Sequence, residues 1–108
     1  MTPDRAPVFA DIAAEVEIPT DGTLSRVLHS DDRVRVVVFA FDEGQELTEH
    51  TAAVPAIVQV IRGRMRLTLG AEVTDAGPDA WAYMAANLPH SILALEPSVL
   101  LLTMLKGS

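Results

Sequence analysis

The sequence predicts an all-β fold built as a single domain. Three observations carry that prediction. The apolar residues fall in short segments that are β-branched, aromatic or strictly alternating, which is how strands read. Turn residues (Asp, Gly, Asn, Pro) recur between these segments at regular spacing, as they do in sandwiches and barrels. Helical periodicity is confined to one stretch near the N-terminus. At 108 residues the chain has room for one core, and no repeat, linker or low-complexity tract divides it.

The elements follow in order. Phe9, Ile12, Ala13 and Val16 stand at helical spacing, so a helix is expected over Phe9 to Val16, ended by Pro19. Val34 to Phe41 is a β-branched and aromatic strand that stops at the turn cluster Asp42-Glu43-Gly44. Ala56 to Ile61 is an apolar strand closed by Arg62-Gly63. In Arg64 to Leu69, Met65, Leu67 and Leu69 alternate with Arg64, Arg66 and Thr68, a half-buried strand with one solvent face. Asp75 to Asp79 reads as a loop. Trp81 to Met84 and Ser91 to Leu95 read as short strands around the bend Asn87-Leu88-Pro89. Glu96-Pro97-Ser98 is a turn, and Val99 to Leu105 is a last, very apolar strand.

Charge narrows the partners. Fifteen acidic residues against eight basic ones leave a net charge of −7. That balance argues against nucleic acid, whose phosphates need clustered cations, and against an anionic membrane surface. The longest apolar run, Ala80 to Ala86, is far short of the ~20 residues a membrane helix needs. No apolar stretch near the N-terminus has the form of a signal peptide, so a cytoplasmic location is expected. There is no cysteine, hence no disulfide or thiolate chemistry.

Two histidines sit in recognisable frames. The first frame runs from Gly44 through His50 to Gly63, and the second from Met84 through Asn87 and Pro89 to His90. Together, over roughly Val34 to Leu105, they resemble the two motifs of the cupin family, small double-stranded β-helix (jelly-roll) barrels also known as RmlC-like. In the first motif, Gly44, His50 and Gly63 fall into register. Ala52 stands at the second His position and Ala56 at the Glu position. In the second motif His90 fits, Asn87 and Asp79 stand at the Gly positions, and Ala85 stands at the Pro position. With Gly77 close by, a turn in a different register is expected there. The resemblance implies a cupin barrel over 34–105. It also implies a homodimer, with the N-terminal segment 1–33 packed on the barrel or across the dimer.

The candidate site follows from strand alternation. If His50 points into the barrel, Glu49 and Thr51 point out and Ala52 points in, and His90, Ile92 and Ala94 share one face. Catalytic zinc takes three protein ligands plus water, and non-haem iron takes two His and a carboxylate. His50 and His90 alone fall short of both sets, and Glu49 is the weak third candidate. Any divalent metal (Zn, Mn, Fe or Ni) is therefore expected to bind weakly, if one binds at all. His50, His90 and Tyr83 are the candidates for acid–base work, since an imidazole titrates near neutrality. Gln59, Met65, Trp81 and Tyr83 are candidate ligand-contact residues. For Trp81 and Tyr83 core or dimer-interface packing is the plainer role, and for Met65, Met84 and Met104 it is core filling. His29 reads as a surface residue. Arg62, Arg64 and Arg66 form a solvated basic stripe that guards a strand edge.

These readings support a small-molecule-binding protein with an apolar barrel interior and two imidazoles. The alternatives are a metal-dependent dioxygenase or isomerase, a metal-free acid–base enzyme, and a regulatory module without chemistry of its own.

Overall fold

The computed structural model describes residues 6–50 and 52–107, leaving aside the side chains of Glu49 and His50. Among these residues nine strands follow one short 3-10 turn: β1 Thr23–Ser30, β2 Val34–Phe41, β3 Glu46–His50, β4 Ala56–Arg62, β5 Met65–Leu69, β6 Glu72–Ala76, β7 Trp81–Met84, β8 His90–Ala94 and β9 Ser98–Leu105. They form two antiparallel sheets, one in the order β1-β2-β9-β4-β7 and the other in the order β3-β8-β5-β6. The all-β, single-domain expectation holds.

Period-two burial explains how the sheets face each other. Ala56, Val58 and Val60 of β4, Met65 and Leu67 of β5, and His90, Ile92 and Ala94 of β8 are buried, while their strand neighbours are less so. With Phe41, Ala76, Met84 and Leu100, these apolar side chains form one cluster between the sheets, the barrel interior. β2 and β9 bury both faces, which is why they read as continuous apolar runs. Their outward residues Val38, Val99 and Leu101 form a second cluster, packed with Ile12, Val16 and Ile18 of the N-terminal segment.

Four differences from the sequence reading have physical causes. The helix expected over Phe9 to Val16 is only the 3-10 turn Ile12–Glu15. Asp11 provides no side-chain cap there, and a helix so short cannot offset the cost of nucleation. The apolar residues Ile12 and Val16 nevertheless dock on the sheet. The larger sheet begins at Thr23, ahead of position 34, because β1 pairs along β2. β3 is an unexpected strand on the rim of the smaller sheet. Asp75 and Ala76 belong to β6 rather than to a loop, and Ala76 is buried against Met65.

Candidate functional site at one end of the barrel

The turn before β8 sets up the site. Asn87 has φ +67°, a left-handed conformation that Asn tolerates better than most residues. Its N–H donates to the Ala52 carbonyl at 2.7 Å, and the Pro89 carbonyl accepts from Gly70 N at 2.8 Å. Asp79, ahead of β7, has φ +72°. Both Gly positions of the second motif are thus left-handed while filled by Asp and Asn. The turn keeps the motif's own register, and the shift toward Gly77 does not occur.

His90 opens β8 and is 6% exposed, one of two buried polar residues among those described. Its Nδ1 lies 2.9 Å from the Leu88 carbonyl. A carbonyl can only accept, so Nδ1 carries the proton and donates. In the neutral ring the lone pair then lies on Nε2. The backbone two residues upstream therefore chooses the tautomer and fixes the ring plane.

Register places the neighbours. His90 is opposite Leu69 on β5 and opposite His50 on β3. One rung further in, Ile92 is opposite Leu67 and Leu47. Between Leu47 and His50 three steps on β3 match two on β8, a β-bulge. Simple alternation from Leu47 would have brought Glu49 opposite His90. The bulge brings His50 there instead. The side chains of Glu49 and His50, and Thr51 altogether, lie outside the described residues.

The other candidates lie elsewhere. Met65 is fully buried but pairs with Ala94, four residues along β8 from His90 and so about 13 Å away along the strand. It fills the core at the far end of the barrel. Gln59 lies on the outward face of β4, between buried Val58 and Val60. Trp81 and Tyr83 are 60% and 52% exposed. Ala80 and Met84 of the same segment pack against the interior cluster, so alternation turns Trp81 and Tyr83 to the outside. Of the candidate ligand-contact residues, Gln59, Trp81 and Tyr83 thus stand on the outward face of the larger sheet and Met65 at the other end of the interior from His90. His29 is at a bulge in β1, with Nε2 2.8 Å from Asp31 Oδ2. That contact, with help from the N–H groups of Val34 and Arg33, holds the Asp31 carboxyl well below its ordinary range.

The architecture can now be compared with known structures. A conserved protein of unknown function from Streptococcus pyogenes superposes with a TM-score of 0.86 at 29% identity, covering 96% of this chain and 91% of that one. A cupin superfamily protein from Desulfitobacterium hafniense gives 0.85 at 22% identity, covering 97% and 94%. An RmlC-like cupin from Shewanella frigidimarina gives 0.76 at 15% identity, covering 81% and 78%. The chain has the cupin fold. No protein-family model matches the sequence, and no curated protein matches it significantly. Within this cupin barrel, Ala52 and Ala56 stand where the family resemblance places metal ligands. Among the described residues no group of three or more His, Asp or Glu converges to hold an ion. Ala56 is 2% exposed and offers the interior only a methyl group. Of the candidate donors His50, His90 and Glu49, only the side chain of His90 is among those described.

Proposed function

We propose that this cupin binds a compact, largely apolar organic molecule at the end of the barrel marked by the rung His50–His90–Leu69. The observation that carries the reading is the state of His90. It is a buried imidazole whose Nδ1 donates to the Leu88 carbonyl, on rungs shared with the apolar residues Leu69, Ile92, Leu47 and Leu67. An apolar wall with one oriented polar group is how small-molecule sites obtain both affinity and direction. The register supports a role for His50 beside it, since His50 is the backbone partner of His90 on β3.

The test is native mass spectrometry with elemental analysis on protein purified without a His tag. An organic adduct that leaves on His90→Leu substitution is the expected result. Near-stoichiometric iron, manganese, nickel or zinc would replace this reading with a metal-dependent one. Protein bare of both adduct and ion would refute it.

A further inference from the structure

Both sheets reach the His90 end of the barrel, and one row there crosses the larger sheet. β4 runs into β5 through the turn at Gly63, so the start of β4 and the end of β5 lie together at the opposite end. Leu69 closes β5 opposite His90, and Ala56 opens β4. Register carries the row from Ala56 to Met84 on β7 and, the other way, to Met104 on β9 and Arg35 on β2. Met84 and Met104 pack with the interior cluster. Arg35 is directly opposite Met104 in an unbroken ladder, so it stands on the inward face of β2. Alternation agrees: Phe39 and Phe41 pack with the interior cluster, Val36 and Val38 with the outer one. Arg35 is thus a cation at the rim of an apolar interior.

Two further cations stand beside it. Lys106 N donates to the Arg33 carbonyl at 2.8 Å, one step beyond the pair Val34–Leu105. Lys106 Nζ donates to the Asp31 carbonyl at 2.8 Å and to Ser30 Oγ at 3.4 Å, and Ser30 is the β1 residue opposite Arg35. The carboxylates of this corner are Asp31, engaged by His29 and by the N–H groups of Arg33 and Val34, and Asp32. Glu72 is at the same end but opposite Leu69 on β6, the edge strand away from β3. Among the described residues the ion pairs are Arg26–Glu15, His29–Asp31 and Arg66–Asp75, so Arg33, Arg35 and Lys106 enter none. Arg64 and Arg66, by contrast, flank buried Met65 and face outward.

The chemistry of this rim selects an occupant. A chain of net −7 repels an anion over most of its surface, and cations without a carboxylate partner are where one is drawn in. A guanidinium matches a carboxylate through two parallel N–H bonds. Beneath it, Ala56 between two methionines forms an adaptable apolar floor.

We infer that the molecule bound at this end is a compact monocarboxylic acid. Its apolar body lies among Ala56, Met84, Met104 and Leu69, and its carboxylate lies on Arg35, with Lys106 adding to the field there. The inference rests on the reading of the His90 end as a ligand site, and it adds the chemical class of the ligand and the residue that selects it.

Calorimetric titration with isovalerate, hexanoate and benzoate, each against its amide, tests the class. At least one acid binds wild type, and its amide binds about 10–100-fold more weakly, the worth of a charge-assisted hydrogen bond. Arg35→Gln weakens the acid by the same factor and leaves the amide unchanged. Its melting temperature without probe stays that of wild type, because Arg35 is exposed. Arg62→Gln, at the Gly63 end, changes neither affinity. An acid and amide of equal affinity overturn the inference, and so does an acid that Arg35→Gln leaves as tight as in wild type. If such binding is still lost on His90→Leu, the ligand site stands and only the acid is wrong. Absence of binding by all three acids also overturns the inference, while an organic adduct in native mass spectrometry would preserve the site without it.

Discussion

A β-carbon on Gly63 would overlap the side-chain oxygen of Ser98 and the carbonyl of Pro97. Gly63 has φ +85° and turns the chain from β4 into β5. Ser98, fully buried at the start of β9, accepts a hydrogen bond from Arg64 N at 3.1 Å and donates toward the Glu96 carbonyl at 2.7 Å. The serine thus ties the β4–β5 turn of one sheet junction to the β8–β9 turn of another.

Gly63→Ala should therefore destabilise the protein by more than about 2 kcal/mol, because left-handed strain adds to a backbone overlap that no rotamer can relieve. Ser98→Ala should cost about 1 kcal/mol, the loss of the part-buried hydrogen bond from Arg64 N–H. Urea denaturation of both variants checks this. If Gly63→Ala unfolds at the wild-type midpoint, the close approach is misdescribed.

Asn87→Ala should cost about 1 kcal/mol, the strain of an ordinary residue in the left-handed region, while Asn87→Gly should be near neutral. Thermal denaturation distinguishes them. Equal melting temperatures for the Ala and Gly variants would count against a left-handed Asn87.

Much of the barrel was legible in the sequence, and what escaped shares a cause. β2, β4, β5, β7, β8 and β9 announce themselves because each buries a run or an alternation of apolar residues. β1, β3 and β6 do not, and all three are edge strands. An edge pairs on one side only, and in these three the sequence is polar and charged, as in Glu46-Leu47-Thr48-Glu49 and Glu72-Val73-Thr74-Asp75, whereas the fourth edge, β7, keeps the apolar sequence Trp-Ala-Tyr-Met. His90 was legible because Asn87, Pro89 and the family frame place it. The outward turn of Trp81 and Tyr83 was not, since a four-residue strand shows alternation without saying which face is inside. The bulge in β3 left no mark in the sequence either.

Installing the ligands that the family frame would place here tests the registration of the site. Ala52→His with Ala56→Glu should tighten zinc binding by about 10–100-fold over a weakly binding wild type, judged by calorimetric titration. The double variant without zinc should be less stable than wild type, because Ala56 is buried and a carboxylate there is desolvated. Tight wild-type binding would reveal a ligand beyond His90. Unaltered affinity in the double variant would mean that the two alanines do not border the site.

Acid sensitivity should trace in part to Asp31. Its carboxyl is held low first by His29, then by the N–H groups of Val34 and Arg33. A folded-state pKa below the unfolded value of about 3.9 gives stability that is complete above that value. The stability is lost as pH falls through the folded value. Asp31→Asn should therefore lower the urea midpoint near neutral pH and flatten its decline below about pH 4. An acid limb as steep in Asp31→Asn as in wild type would remove Asp31 from the account.

Leu100→Ala should be among the most damaging truncations, at about 2–5 kcal/mol, since Leu100 is fully buried between the sheets. Val73→Ala, at an exposed site, should change the urea midpoint little. Similar losses in the two variants would contradict the placement of the interior.

β9, last of the nine strands along the chain, lies at the middle of the larger sheet, with β2 on one side and β4 on the other. During synthesis, then, β2 and β4 must wait for a partner made some forty to seventy residues later. Until β9 leaves the ribosome, their apolar faces have no sheet to complete. Such distant pairings make folding slow and leave the nascent chain open to aggregation. A chaperone or a slow exit from the ribosome would matter most during that interval, and truncation ahead of Ser98 would remove the strand on which the whole larger sheet closes.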